Sequence, residues 1–123
     1  MARILVAEDE DAVRAYVERA LAHAGHSVAV VADGMQAVDV LGQERFDLLV
    51  TDIVMPNMDG ITLALKATKD WPDMAVLLMT GYAAERQRAH NLEALIHKVI
   101  AKPFAMADLL AAVDEALAKR PRH

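Results

Sequence analysis

Leu48-Leu49-Val50-Thr51-Asp52 holds four residues suited to a buried strand and then stops on a carboxylate. A continuous apolar run with no polar alternation is the pattern of a strand covered on both faces, as in a parallel sheet packed between helices. Ile4-Leu5-Val6-Ala7 repeats the pattern and stops on Glu8-Asp9. Three more runs of the same character lie at 28–31, 76–79 and 99–101, the last two ending on Thr80-Gly81 and Lys102-Pro103.

Between these runs the periodicity changes to that of helices. Val13, Val17, Leu21 and Ala24 form one stripe, and Ala37, Val38 and Leu41 a shorter one. Ile61, Leu65 and Thr68 continue the series, and Leu109, Leu110, Val113 and Leu117 close it. The stretch 83–95 reads as a helix too, but a polar and loosely held one. Gly25, Gly34, Gly42, Gly60 and Gly81, with Pro56, Pro72 and Pro103, separate the segments, and Asp33 and Asp59 are natural helix N-caps. Alternating β and α units imply an α/β fold with a parallel sheet and right-handed crossovers.

In such a fold, ligands bind outside the carboxyl ends of the strands. If the first and third strands are neighbours, Glu8, Asp9 and Asp52 meet at one rim. Like charges that close raise one another's pKa or require a cation, and hard carboxylate oxygens suit Mg²⁺. Thr80 and Lys102 bring a hydroxyl and an ammonium to the same rim. Metal, carboxylate nucleophile, hydroxyl and lysine together make a site for a phosphoryl group.

Composition removes several alternatives. The 123 residues suit one domain, and 55% apolar residues are enough for its core. With no cysteine, disulfides and thiolate metal sites are excluded. A net charge of −5 argues against nucleic-acid binding, which needs a concentrated basic face. No signal peptide or membrane-length apolar run is visible, so a cytoplasmic protein without membrane contact is expected. The domain is expected over residues 1–119, with 120–123 a short basic tail. The five histidines show no metal-ligand spacing, and the seven methionines read as packing.

The segments 4–10, 51–60, Met79-Thr80-Gly81 and Ala101-Lys102-Pro103-Phe104 together resemble the receiver domain of bacterial response regulators. The resemblance spans nearly the whole chain. It implies a flavodoxin-like (CheY-like) five-stranded parallel sheet of order 2-1-3-4-5 with helices on both faces. It also implies that Asp52 accepts a phosphoryl group from a phosphohistidine of a histidine kinase or histidine phosphotransferase. Asp9 and Asp52 would coordinate Mg²⁺ with the backbone carbonyl of Val54, and Glu8 would hold a metal-bound water. Thr80 and Lys102 would bind phosphoryl oxygens, and the Lys102–Pro103 bond would be cis.

The family's usual switch pairs the threonine with an aromatic residue three positions before the lysine. That position is Val99 here, and Tyr82 is the candidate substitute. Tyr16 and Phe104 are candidate partner anchors, expected on opposite sides of the pocket mouth. The Ala-Glu-Asp start, Thr51-Asp52-Ile53-Val54-Met55-Pro56, the segment 79–84 and Lys102-Pro103-Phe104 resemble most the stand-alone receivers of the CpdR type. That likeness implies a cell-cycle regulator whose unphosphorylated form primes ClpXP proteolysis through ClpX. A chemotaxis-type receiver or a phosphate sink would carry the same site. An aspartate-nucleophile phosphatase fits less well, because the position two after Asp52 is Val54 and not a second carboxylate.

Overall fold

The computed structural model describes residues 1–81, 87 and 98–119. Five strands form one parallel sheet: β1 (Arg3–Ala7), β2 (Ser27–Val31), β3 (Leu48–Asp52), β4 (Ala75–Thr80) and β5 (Lys98–Ala101). Their order is β2-β1-β3-β4-β5, the flavodoxin-like order implied by the resemblance. Described helices are α1 (Asp11–His23), α2 (Gly34–Leu41), α3 (Gly60–Asp70) and α4 (Met106–Ala118).

Two apolar layers enclose the sheet. On one side, Ile4, Val6, Leu48, Val50, Leu77 and Met79 pack against Val17, Ala20 and Leu21 of α1 and Leu109, Ala112, Val113 and Ala116 of α4. On the other, Leu5, Ala7, Leu49, Val76 and Leu78 meet Ala37 and Leu41 of α2 and Leu63, Ala64 and Ala67 of α3. Every residue of β3 and β4 is buried, which is why these runs show no polar alternation.

The outer strands differ from the two-sided burial expected of 28–31 and 99–101. β2 and β5 are half-buried for most of their length, because an edge strand has a hydrogen-bonded neighbour on one side only. A second correction concerns α3. The stripe expected at Ile61, Leu65 and Thr68 is not the inner face, since Leu65 is 41% exposed while Leu63, Ala64 and Ala67 are buried. Alanine gives a weak apolar signal, so the larger side chains drew the stripe about one residue out of phase. In α1, Ala24 falls at the C-cap and is exposed. Most of the polar stretch 83–95, and the tail at 120–123, lie outside the described residues.

Both expected caps form. The Asp33 carboxylate accepts the Gln36 amide at 2.8 Å, and that of Asp59 accepts the Thr62 amide at 2.8 Å. After Asp59, the chain passes so close to β3 that a Cβ on Gly60 would fall within the Asp52 carbonyl group. The Gly60 amide instead donates to the Ile53 carbonyl at 2.7 Å. Glycine is therefore what allows the head of α3 to rest on the end of β3.

The inner face of α3 can be checked by urea unfolding. Leu63→Ala is expected to cost about 2–5 kcal/mol by opening a cavity, and Leu65→Ala to stay within about 0.5 kcal/mol. Equal losses would restore the stripe read from the sequence.

Candidate functional site

Sheet alternation decides which face each end residue takes. Side chains two apart on a strand share a face. Val6, Val50 and Ile100 all lie on the α1/α4 side, so Glu8, Asp52 and Lys102, each two residues further on, project to that side at the carboxyl rim. Lys102 Nζ lies 2.7 Å from Glu8 Oε1 and 3.2 Å from Asp52 Oδ1, joining the ends of three strands. Carboxylate oxygens of Glu8, Asp9 and Asp52 lie within 4.8 Å of one another. Glu8 is fully buried, Asp52 nearly so, and Asp9 is exposed.

Backbone groups hold the rim. Asp52 Oδ1 accepts the Ile53 amide at 2.9 Å, and Glu8 Oε2 accepts the Glu10 amide at 3.1 Å. Arg14 Nη1 donates to the Glu8 carbonyl at 2.9 Å, anchoring the β1–α1 turn to α1. Burial pushes the Glu8 carboxyl above the ordinary carboxylate range, and the Asp52 charge adds to it, against the bonds from Lys102 and Glu10. Burial works against the Lys102 ammonium, but its bond to Glu8 and the charges of Asp52 and Glu8 outweigh that and hold it above its usual value. Lysine is thus the resident counter-cation of a rim with an excess of negative charge.

These groups open into a cleft of about 850 Å³, whose walls include Asp9, Val54, Gly81, Tyr16 and Phe104. Val54 is 59% exposed at its lip. The Lys102–Pro103 bond is cis, as the resemblance implies, and Phe104 follows directly. Tyr16 and Phe104 do not flank the mouth from opposite sides. Their ring centroids are 6.3 Å apart, so they form one aromatic patch where α1 meets the β5–α4 connection. A smaller cavity of about 360 Å³, bordered by Phe46 and Trp71, contains none of the rim acids.

Thr80 behaves differently. It shares its face with Leu78, on the α2/α3 side, and its buried hydroxyl donates a long bond of 3.5 Å to the Ile100 carbonyl. Its carbonyl accepts the Lys102 amide at 2.7 Å. Val99 pairs in register with Leu78 and Ala101 with Thr80, so Val99 sits diagonally beside Thr80 on one face. Tyr82 lies outside the described residues.

The response regulator receiver domain family matches residues 4–114. The chain belongs to this family. The receiver is 41% identical to the response regulator receiver protein CpdR of Brucella abortus over 117 residues, which is 95% of this chain and 98% of that one. Its fold matches a CheY-like receiver domain protein of Methanospirillum hungatei with a TM-score of 0.88 at 31% identity, over 97% of this chain and 95% of the other. It also matches the response regulator TrrA of Thermotoga maritima, solved in complex with Mg²⁺–BeF, with a TM-score of 0.85 at 26% identity, over 94% of this chain and 99% of that one. Receivers are signalling proteins of two-component systems that partner with histidine kinases, and not conventional enzymes. No described helix is long and apolar enough to cross a membrane.

The donor set suits Mg²⁺. Clustered carboxylates with one exposed member provide hard oxygens and leave room for water. Sequence reasoning missed two supports of the receiver's rim, the Arg14 bond and the close approach of Gly60. In the sequence Arg14 signals itself only as a cation one position from the apolar stripe.

Crowded carboxylates make the metal-free rim self-repelling, so Asp9→Asn is expected to raise the metal-free melting temperature. In the unaltered receiver, Mg²⁺ at a hundred times its Kd is expected to add about 2.7 kcal/mol. Asp9→Asn should lose that gain. Thermal unfolding with and without Mg²⁺ measures both, and an unchanged gain would remove Asp9 from the ligand set.

Proposed function

We propose that Asp52 accepts the phosphoryl group of a phosphohistidine on a histidine kinase or histidine phosphotransferase, and that the change switches protein–protein binding. One observation carries the reading: Lys102 bridges the carboxylates of Asp52 and Glu8 at the mouth of an acidic cleft. A carboxylate oxygen of Asp52 attacks phosphorus, the P–N bond breaks, and the imidazole leaves with its electron pair. Asp9, Asp52 and the Val54 carbonyl would hold Mg²⁺, with Glu8 acting through a water. Bound there, Mg²⁺ offsets the charge shared by the carboxylates and the incoming phosphoryl group.

Lys102 supports transfer from the other side. Its ammonium stays charged and is held between two acids, so it faces the phosphoryl oxygens without a search. Thr80 is the group free to change partner, because a bond of 3.5 Å loses little when the hydroxyl turns toward a new oxygen. Movement there reaches Val99, its diagonal neighbour. With Val54 two residues after Asp52, no carboxylate stands ready as acid or base to hydrolyse the acyl phosphate. The product therefore persists as a signal. We assign the receiver to residues 1–119, with 120–123 as a tail.

For the output, the likeness to CpdR over nearly the full length of that protein supports a cell-cycle regulator that primes ClpXP proteolysis through ClpX. The Tyr16–Phe104 patch beside the cleft is the proposed contact for the phosphoryl donor, since paired aromatics give a rigid anchor.

Incubation with a small phosphodonor and Mg²⁺ is expected to add one phosphoryl mass, and Asp52→Ala to add none. In pull-downs, ClpX should retain the unphosphorylated protein and release the phosphorylated one. Uptake by Asp52→Ala at the same rate would refute the acceptor assignment, and equal ClpX retention would refute the output.

Tyr16→Ala and Phe104→Ala are each expected to slow transfer from a histidine phosphotransferase about tenfold or more, in line with the 1.4 kcal/mol or more of an anchor. Uptake from the small donor should be unchanged. Equal losses in both assays would assign the residues to folding rather than contact.

A further inference from the structure

The loop that leaves Asp52 for α3 carries Val54, and it is tied to the head of α2, which packs on the face of the sheet opposite Lys102. Asn57 Nδ2 donates to Asp33 Oδ2 at 2.8 Å. The other oxygen of Asp33 accepts the Gln36 amide at 2.8 Å, and Gln36 Oε1 accepts the Ala32 amide at 2.8 Å, closing a reciprocal cap at the head of α2. One carboxylate therefore caps a helix and holds a loop. The bond from Gln36 and then that from Asn57 keep the Asp33 carboxyl below its ordinary range, so it serves as an acceptor for both.

The approach is close as well as bonded. A Cβ on Gly34 would lie 2.5 Å from the Met58 carbonyl oxygen and 2.8 Å from Met58 Cβ, so the loop rests on the first turn of α2. Asn57 has a φ of 69°, a left-handed conformation that asparagine tolerates better than most residues. Inside the loop, the Met58 amide donates to Pro56 at 2.8 Å and the Gly60 amide to Ile53 at 2.7 Å. One bond thus spans Asn57, and the other closes the loop from Ile53 to Gly60.

We propose that Asp33 is a positioning residue for the acidic site, acting through Asn57 to fix the loop that presents Val54, and that the head of α2 thereby senses occupancy of the site. This deepens the preceding reading and rests on it for the role of Val54. Energetic coupling is reciprocal: if the tie helps the loop bind a cation, the cation tightens the tie. The signal then reaches α2, on the face of the sheet opposite Lys102, in addition to any movement at Thr80.

The test uses the full chain and Mg²⁺ alone, with affinity read by calorimetry. Asp33→Ser keeps a hydroxyl cap for the Gln36 amide but is too short to reach Asn57. Asn57→Gly accepts the positive φ but has no amide to donate. Each variant is expected to weaken Mg²⁺ binding about fivefold, and the double variant no more than the weaker single, because both remove one contact. Mg²⁺ should also slow hydrogen exchange at the Gln36 amide in the unaltered chain, and this protection should vanish in Asn57→Gly although the Asp33 cap remains. A residue with only a structural role would lower stability and leave both readouts unmoved. Full affinity in both single variants, or additive losses in the double, overturns the tie alone. An unaltered chain that takes up no Mg²⁺ overturns the metal reading and this inference with it.

Discussion

Lys102 Nζ lying between Glu8 and Asp52 is the contact on which the rest of the receiver turns. Three strand ends meet there, and each arrives with its charge because the sheet alternation permits nothing else. Move any one of β1, β3 or β5 by a single residue and its polar end group goes to the other face of the sheet. The apolar strands are therefore what hold the electrostatics in place. Full burial of β3 and β4 sets the register, and the register places the charges.

The same geometry separates two kinds of group. Glu8, Asp52 and Lys102 gather on the α1/α4 side, where the cleft opens, while Thr80 and Val99 lie on the α2/α3 side. The two groups thus occupy opposite faces of one sheet, joined across the end of β4 by the Lys102 amide on the Thr80 carbonyl.

Contacts around the β3–α3 loop add a second route to the same layer. Gly60 lets the head of α3 touch the end of β3, and Asp33 with Gly34 brings the head of α2 against Asn57 and Met58. Helices of the far layer thereby begin within one or two contacts of the rim. Tyr16 and Phe104 do the corresponding thing on the near side, where α1 and the β5–α4 connection form one aromatic surface beside the acids.

Five apolar runs, their polar end residues and two aspartate caps were legible in the sequence because each is a local pattern that burial or capping imposes directly. The rim constellation followed from those end residues, and the strand order from the resemblance that rests on them. What stayed hidden depends on neighbours distant in the chain. The inner face of α3 is built largely from alanine and glycine, whose small side chains carry little periodic signal until β3 and α2 are seen to press against them. The half-burial of β2 and β5 is a property of sheet edges and not of their residues. Tyr16 and Phe104 are separated by most of the chain, so only the packing of α1 beside the cis Pro103 turn could show that they touch. The sequence by itself determined which groups reach the rim, since period-two alternation is local. Only the tertiary structure decided which of them meet, because meeting depends on how the layers close over the sheet.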